Sequence, residues 1–380
     1  MAQEKKETAV GLQLGEHFAQ LTWYYQGMKE PLTPGADTKE GPAISRIPEG
    51  TMENTDALRS FLEGMIRQVP DFPGFETLHI MVTVRELTQE KAGRIANALE
   101  SLGCPRKNIG LQDYLSSFYS YTINQKKELW NGDVALLEYR NDQMIGYVLH
   151  IDQTKTPALV TVEEAGRQAV DESLKGDRSQ EDWDKERDRL LFELLKKIFE
   201  RRNVVTSYLM GDYFDGSWSV RSFQYLCHRR HAFRGGNLYT KGACYAAMDR
   251  AGMIRFPDML FLGKDIVREN IGMNMRVRGR QWFYTIINAG VNWYEAHHEC
   301  EFIPDGEKNI TILTKPMTGG DEVEHILRLK RFPQRPNRAT RLRMTVYFTS
   351  PSECVVEVED LGFGGFFRPS GKTWKRRIYI

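Results

Sequence analysis

The feature that most constrains the fold is a change in hydrophobic periodicity close to residue 253. Before it, short apolar runs alternate with segments whose apolar residues recur at three- and four-residue spacing, as in strands and helices that follow one another. After it, apolar and polar residues alternate in short runs separated by turns, which is typical of strands. The sequence therefore predicts an α/β part over 1–252 and an all-β, sandwich-like part over 253–380.

The α/β part opens with two alternating strands at 9–14 and 18–25, which Gly15-Glu16 would join as a tight hairpin. Residues 27–50 are rich in Pro, Gly and Thr and are expected to form a loop or extended insert. Further strands are predicted at 77–84, 133–139, 146–151 and 204–210. Helices are predicted at 54–69, 88–102, 113–121, 182–202, 218–227 and 241–251, with Thr88 as an N-cap and Gly103 as a C-terminal stop.

Charge and cysteine content exclude several classes of protein. Lys and Arg together number 52 against 51 Asp and Glu, so the chain as a whole is not biased towards nucleic acid or membrane surfaces. The charged N-terminus does not resemble a signal peptide, and no apolar run reaches the roughly 18–20 residues of a spanning helix. The scattered cysteines indicate a reducing compartment, so we expect a cytoplasmic protein. They are Cys104, Cys227, Cys244, Cys300 and Cys354.

Three short segments resemble the actin, sugar-kinase and heat-shock chaperone ATPase superfamily. They are VGLQLG at 10–15, DVALLEYR at 133–140, and YLMGD at 208–212 followed by GGNLYTKGACYAA at 235–247. The resemblance implies a first actin-like lobe over 1–125 and a second over 126–252, with phosphates clamped between two hairpins. The region 253–380 resembles a reduced form of the β-sandwich that follows the ATPase domain in chaperones. The whole chain also resembles an uncharacterised bacterial family with this two-part layout.

The resemblance also implies a nucleotide cleft, whose residues here depart from the superfamily pattern. The cleft would be lined by Gly11, Gln13, Gly15, Glu138, Arg140, Gly211, Asp212 and Gly242. Such a site needs glycines so that backbone N–H groups reach the phosphates, and a carboxylate to hold Mg²⁺. Gln13 stands at one acidic position. Arg140 replaces a glycine, where it would fill the phosphate space or mimic the charge of the metal. We interpret the set as vestigial, with no catalytic residue and no metal site.

Segment lengths favour the same interpretation. Between the second hairpin and Gly211 there is room for one acidic loop and one helix, and the insert 27–50 is also short. Peripheral subdomains that would cover a nucleotide are therefore expected to be shortened, which weakens binding and hydrolysis. We predict a non-catalytic scaffold or protein-interaction module with no bound cofactor. The alternatives are an ATP-binding switch with weak ATPase activity, using ATP and Mg²⁺, and a chaperone-like peptide-binding module.

A basic run at 326–352 is the strongest local charge signal in the β part. It contains no acid and seven basic residues: Arg328, Lys330, Arg331, Arg335, Arg338, Arg341 and Arg343. A nucleic-acid surface is one interpretation. The other is a half-buried strand whose turn at Pro351-Ser352 brings Arg343 beside Glu359 as a cross-strand pair. We favour the second, and expect a protein partner and neither nucleic acid nor membrane.

Two histidine-containing fragments and one aromatic motif have structural explanations. The fragments 228–231 (HRRH) and 297–300 (HHEC) lack further ligands at metal-site spacing, so polar surface is favoured for both.

The acidic segment 163–188 is interpreted as a solvated loop and helix face. The motif DLGFGGFF at 360–367 lies near Trp374, and its rings are predicted to plug the base of the sandwich; an exposed partner surface is the alternative.

Overall fold

The computed structural model describes residues 7–380 except 37, 39, 40, 141, 177, 215–217, 278, 307 and 318. The chain forms two compact units, Met1–Gly263 and Lys264–Ile380. Among the described residues, no helix is long and apolar enough to cross a membrane.

The first unit contains the helices and two mixed sheets. Its strands are β1 (Thr8–Leu14), β2 (Phe18–Tyr25), β3 (Ser45–Arg46), β4 (Leu78–Val84), β5 (Ile109–Asp113), β6 (Asp133–Arg140), β7 (Gln143–Asp152), β8 (Ala158–Ala169), β9 (Val204–Met210), β10 (His231–Arg234) and β11 (Met259–Phe261). Its helices are α1 (Thr55–Ile66), α2 (Gln89–Ser101), α3 (Tyr114–Ile123), α4 (Gln180–Phe199), α5 (Val220–Cys227) and α6 (Leu238–Arg250).

The two sheets are built in the same way. The first has the order β3-β2-β1-β4-β5, and the second, read from its other end, has β8-β7-β6-β9-β10 with β11 beyond β8. In each, three strands form an antiparallel meander, and two more add in parallel beside the first strand of the meander. The first unit therefore has two α/β lobes of matching topology, one on each sheet.

Each lobe supplies a helix that packs on the sheet of the other lobe. Helix α3 follows β5 of the first sheet, yet its apolar side chains share a core with Leu136, Leu149 and Tyr208 of the second. Helix α6 follows β10 of the second sheet, yet its apolar residues pack with Ala9 and Met81 of the first. These residues of α6 are Ala243, Cys244, Ala247 and Met248.

Two glycines allow this exchange because the backbones approach too closely for a side chain. A Cβ atom at Gly242 of α6 would lie 1.9 Å from the carbonyl oxygen of Ser117 in α3. A Cβ atom at Gly11 of β1 would lie 2.2 Å from the carbonyl oxygen of Thr240 in α6. Both distances are far shorter than any carbon–oxygen contact in a packed core, so only glycine fits at either position.

Several sequence predictions for the first unit are confirmed. The β1–β2 hairpin turns at Gly15, and strand β9 has the predicted ends. Thr88 Oγ1 accepts a hydrogen bond from the backbone N–H of Lys91, so it caps α2 as expected. Gly103 has φ +98 directly after that helix, the left-handed conformation that glycine adopts most readily.

The interpretation of 163–188 as a solvated loop and helix face is wrong for its first residues. They belong to β8, which hydrogen-bonds to β7 along its length and carries Glu163 and Glu164 on its exposed positions. Because most side chains of β8 are at least partly exposed, its sequence lacks the clear apolar alternation that marks a half-buried strand. The strand is held by backbone pairing, which leaves no side-chain pattern.

The second unit is all β. Its strands are β12 (Glu269–Val277), β13 (Arg280–Ile287), β14 (His297–Phe302), β15 (Asn309–Pro316), β16 (Val323–Arg328), β17 (Leu342–Ser350), β18 (Glu353–Asp360) and β19 (Thr373–Tyr379). They form two four-stranded antiparallel sheets, β13-β12-β15-β16 and β14-β17-β18-β19, whose inner faces share one core. The unit begins after Gly263, later than the predicted boundary at 253, because β11 still pairs with β8 of the first unit.

Arg343 of the basic run is paired where the sequence suggested. Arg343 lies opposite Glu359 in the β17–β18 register, with 3.7 Å between Nη1 and Oε2, and it also reaches Glu299 and Glu301 on β14. Other members of the run are paired too: Arg335 with Asp360, Arg338 with Asp305, and Arg341 with Glu301. The prediction of cross-strand charge pairs is confirmed.

The aromatic motif does not plug the sandwich as predicted. Phe366 is 87% exposed, and Phe363 and Phe367 are only partly buried. The glycines let the segment turn back on itself, so that the N–H of Phe363 donates to the carbonyl of Phe367 at 2.7 Å. Asp360 anchors this loop by accepting from the backbone N–H of Gly362, and the ring of Phe366 is left outside.

We expect Gly242→Ala to destabilise the protein by at least about 2–3 kcal/mol, because its methyl group must displace the backbone of α3. Gly93→Ala is the matched control. Gly93 lies inside α2 with nothing within 4 Å of an added Cβ, so alanine there should stabilise by roughly 0.5–1 kcal/mol. Urea denaturation measures both. Equal effects of the two substitutions would contradict the close contact.

We expect Asp360→Asn to cost about 3–5 kcal/mol, since it leaves the buried Arg335 without a counter-charge. Burial alone would raise the pKa of Asp360, but hydrogen bonds from Arg335, Ser370 and Gly362 hold it well below its usual range. Its stabilisation is therefore complete above about pH 4 and is lost as the pH falls through the lowered pKa.

Unfolding measured between about pH 5 and pH 3 should show a steeper loss of stability in the wild type than in Asp360→Asn. The control is Asp305→Asn, which removes an exposed partner of Arg338 and should change stability little. A large loss in the control, or none in Asp360→Asn, would contradict the assignment.

Candidate functional site

The candidate site lies between the two lobes of the first unit, around a pair of stacked tyrosines. Tyr114 is the first residue of α3 and Tyr239 the second of α6, the two exchanged helices. Their ring centroids are 4.3 Å apart with an interplanar angle of 19°, and both rings are buried. The space that a cleft between the lobes would occupy is thus filled by aromatic side chains at this point.

Each tyrosine hydroxyl is hydrogen-bonded to a residue near the end of a strand. The strand is β1 of the first sheet for Tyr114 and β6 of the second sheet for Tyr239. Gln13 of β1 donates from Nε2 to the hydroxyl of Tyr114 at 3.2 Å. The hydroxyl of Tyr239 donates to Oε1 of Glu138 on β6. Because β1 and β6 hold the same place in the two sheets, Gln13 and Glu138 lie close to corresponding strand ends. One presents a neutral amide and the other a carboxyl group.

Glu138 is enclosed by hydrogen-bond donors and is only 3% exposed. Its Oε2 accepts from Arg85 Nη1 at 3.3 Å and from Arg140 Nη2. Burial raises the pKa of Glu138, and the charge of Arg85 and the hydroxyl of Tyr239 oppose that rise. Burial and the neighbouring Glu138 also raise the pKa of Tyr239 well above its usual value, so the phenol stays protonated and donates.

Arg85 links this carboxyl to the tyrosine stack. Its guanidinium lies over the ring of Tyr114, 4.8 Å from the centroid, while the same group pairs with Glu138. The side chains of Arg85 and Arg140 are about a third exposed, whereas that of Glu138 is 4% exposed. Two cations therefore cover one buried anion from the solvent side, and the ring lies beneath one of them.

The structure brings Gln13, Glu138 and Arg140 of the predicted site set into this one cluster. The glycines are placed differently. Gly11 and Gly242 pack against backbone as described, and Gly15 forms the β1–β2 turn, its N–H donating to the carbonyl of Phe18 at 2.8 Å.

The remaining two members of the set follow β9. Gly211 has φ +110, and a Cβ there would lie 2.1 Å from the carbonyl oxygen of Tyr139. Asp212 begins a single 3₁₀ turn directly after it. Gly211 therefore lets the chain pass close beside β6. The assignment of the whole set to a nucleotide stays a prediction.

Three residues of the cluster were not predicted from the sequence: Arg85, Tyr114 and Tyr239. Arg85 follows β4 at the carboxyl end of a parallel strand, where functional side chains of α/β sheets gather, so its position alone was a usable signal. The two tyrosines gave no such signal, because their stacking depends on how two distant helices cross.

The residues present do not fit a magnesium-bound nucleotide. Mg²⁺ needs free hard oxygen ligands, but both carboxylate oxygens of Glu138 already accept hydrogen bonds. Gln13 Oε1 is buried without a partner in the part of the chain that is described, yet a neutral amide oxygen cannot offset the charge of a divalent cation as a carboxylate does. Nor do the described residues contain a cluster of three or more His, Cys, Asp or Glu side chains that could hold a metal.

Comparisons with known proteins identify a family and several weakly similar structures. Residues 41–264 match the family described as "Family of unknown function (DUF5716) C-terminal", and residues 266–380 match "Domain of unknown function (DUF8552)". A comparison with curated protein sequences finds no match.

Among solved structures, similarity is found to an inorganic polyphosphate/ATP-glucomannokinase from Arthrobacter sp. strain KM, with 11% identity, TM-score 0.39, and 65% of this chain and 99% of that chain covered. A glucokinase from Balamuthia mandrillaris gives 12% identity, TM-score 0.42, and 64% and 94% coverage. Component A of (R)-2-hydroxyglutaryl-CoA dehydratase from Acidaminococcus fermentans gives 11%, 0.36, and 65% and 98%. Such values assign no activity to this chain.

We expect Tyr239→Phe to destabilise the protein by about 1.5–3 kcal/mol, because a hydrogen bond to a buried carboxyl is lost while the ring stays in place. Tyr114→Phe is the matched control, since the hydrogen bonds of its hydroxyl to residues that the structure describes are with the neutral Gln13 and the carbonyl of Leu14. The control should cost about 0.5–1.5 kcal/mol. Chemical denaturation compares them, and a larger loss in Tyr114→Phe would refute a special role for the Glu138 contact.

Proposed function

We propose that this chain, which belongs to the DUF5716 family, is a non-catalytic scaffold or protein-interaction module that keeps the bilobal shape of an ATPase-like fold. The observation that carries the proposal is the burial of the Glu138 carboxylate among hydrogen-bond donors. The one carboxylate at a phosphate-hairpin position is buried, and Arg85, Arg140 and Tyr239 use both of its oxygens. A carboxylate held in this way is not free to bind a hydrated metal ion.

The energetics of opening the cluster support this proposal. To admit a metal, Arg85 and Arg140 would have to leave Glu138, whose side chain is 4% exposed, and a hydrated ion would have to give up water to replace them. An incoming phosphate would then approach a carboxylate of the same sign. The stack of Tyr114 on Tyr239 would also have to separate before the lobes could move apart, with the loss of a buried aromatic contact.

The lengths of the connecting segments support a cleft that lacks covering subdomains. Between β6 and β9 the chain supplies two strands of the sheet and helix α4. The insert after β2 contains only the two-residue strand β3 among its described residues. Neither segment is large enough to add a covering subdomain, and a shallow cleft excludes less water from a bound ligand.

The expected result with the purified full chain is no thermal stabilisation by Mg-ATP at millimolar concentration, because a ligand that does not bind the native state does not shift unfolding. Phosphate release should be no faster than in Glu138→Ala. An active sugar kinase measured alongside is the positive control for the reagents.

Two results would contradict the proposal in different ways. Stabilisation by Mg-ATP without turnover would favour the ATP-binding switch. Steady phosphate release that Glu138→Ala abolishes would make the chain an ATPase.

A further inference from the structure

A stretch of the second lobe is basic and contains no acid. Residues 216–248 include no Asp or Glu, and their charged and titratable basic residues are Arg221, His228, Arg229, Arg230, His231, Arg234 and Lys241. Lys241 pairs with Glu30 of the first lobe. The remaining residues of this set lie on α5, on β10 and in the turn between them.

The guanidinium groups of the four arginines of this stretch form no ion pair among the described residues, although the backbone N–H of Arg221 donates to Asp188. In the basic run of the second unit, by contrast, Arg335, Arg338, Arg341 and Arg343 are each paired with a carboxylate. Arg230 donates to the carbonyl of Tyr225 at 3.1 Å and lies over the ring of Phe199. Arg221 lies 3.8 Å from the centroid of Phe192. These contacts orient the guanidinium groups without neutralising them, so their positive charge stays available to an anion.

The same edge of the sheet displays a rigidly held aromatic ring. Phe233 of β10 is 40% exposed, although its ring stacks on Tyr208 of β9 with 5.5 Å between centroids. Tyr208 in turn meets Tyr121 edge-on at 5.4 Å, and the ring of His231, two residues away along β10, is nearly parallel to that of Phe233 with 6.2 Å between centroids. The ring is fixed by the core beneath it and still presents surface to solvent.

The sequence as a whole predicted no nucleic-acid partner, but this local patch differs from the average of the chain, and we propose that the edge patch, defined as Arg221, Arg229, Arg230, His231, Phe233 and Arg234, binds single-stranded nucleic acid. Guanidinium groups form paired hydrogen bonds with phosphate oxygens, and an immobilised ring offers a face or edge on which a base stacks. The patch follows β10, an edge strand that pairs only with β9 among the strands described. Phe233 and Arg234 occupy consecutive positions of β10, so the ring lies on the Tyr208 face of the sheet and Arg234 on the face that carries α4 and α5. A strand of nucleotides must therefore wrap around this edge to meet both the cations and the ring.

The exposed ring distinguishes nucleic acid from an acidic polypeptide. The face of an aromatic ring carries negative potential, so it repels a carboxylate but stacks with a nucleobase. Strand β10 is also only four residues long, which is short for binding a peptide as an added strand. A third explanation is that charges on an edge strand merely prevent aggregation, and it predicts no binding at all.

The test is fluorescence anisotropy of a labelled 20-nucleotide oligo(dT) with the full chain, at several salt concentrations. We expect saturable binding whose affinity falls steeply with salt. The double variant Arg229→Gln with Arg234→Gln should weaken binding at least about fivefold and lower the salt slope by roughly 0.7 per arginine. Phe233→Leu, which keeps an apolar side chain but removes the ring, should weaken binding by about fivefold or more.

The matched control is Arg338→Gln with Arg341→Gln in the second unit, which neutralises two arginines already paired with Asp305 and Glu301. It is also matched in backbone conformation, since Arg338 has φ +63 and Arg229 has φ +57. Circular dichroism confirms that each variant is folded. This control should leave oligo(dT) affinity unchanged.

Three results would overturn the proposal. They are no binding at low salt, equal losses in the patch and control variants, or poly-glutamate binding as tightly as oligo(dT) with no effect of Phe233→Leu. The last would assign the patch to an acidic protein. None of these results bears on nucleotide binding between the lobes, because that site and the edge patch share no residue.

Discussion

The contact between Gly242 and Ser117 is the constraint on which the rest of the first unit depends. It sets how closely α3 and α6 cross, and each helix carries a tyrosine three residues before that contact point. The crossing therefore brings Tyr114 and Tyr239 face to face, and their hydroxyls meet the ends of β1 and β6. Once those positions are buried, a carboxylate at Glu138 requires nearby cations, and Arg85 and Arg140 supply them.

Local patterns in the sequence were sufficient for elements that depend on local physics. The β1–β2 hairpin, the Thr88 cap, the ends of β9 and the pairing of Arg343 with Glu359 follow from alternation, capping and turn chemistry. Strands β5, β8, β10 and β11 were not predicted, because they are short or largely exposed and are held by backbone pairing with distant strands.

The candidate site shows the same division between local and long-range information. Gln13, Glu138 and Arg140 were predicted through the two hairpin segments in which they lie. Arg85 and Tyr239 reach Glu138 from distant parts of the chain, 53 and 101 residues away, and no local pattern encodes such contacts. The exposure of Phe366 has a similar cause, since the turn made by its glycines aims the ring outward whatever its hydrophobicity. The side-chain types predicted which chemical groups are present. Tertiary packing determines which of these groups are exposed and which are already hydrogen-bonded.

The exchange of helices also fixes the order in which the chain can complete its cores during synthesis. The face of the first sheet that carries Ala9 and Met81 is covered by α6, which ends only at Arg250. The first lobe emerges from the ribosome well before that helix exists, so its apolar face stays exposed while the whole second lobe is translated. The two lobes are therefore one folding unit, and a chain cut between them would lack the covering helix of each.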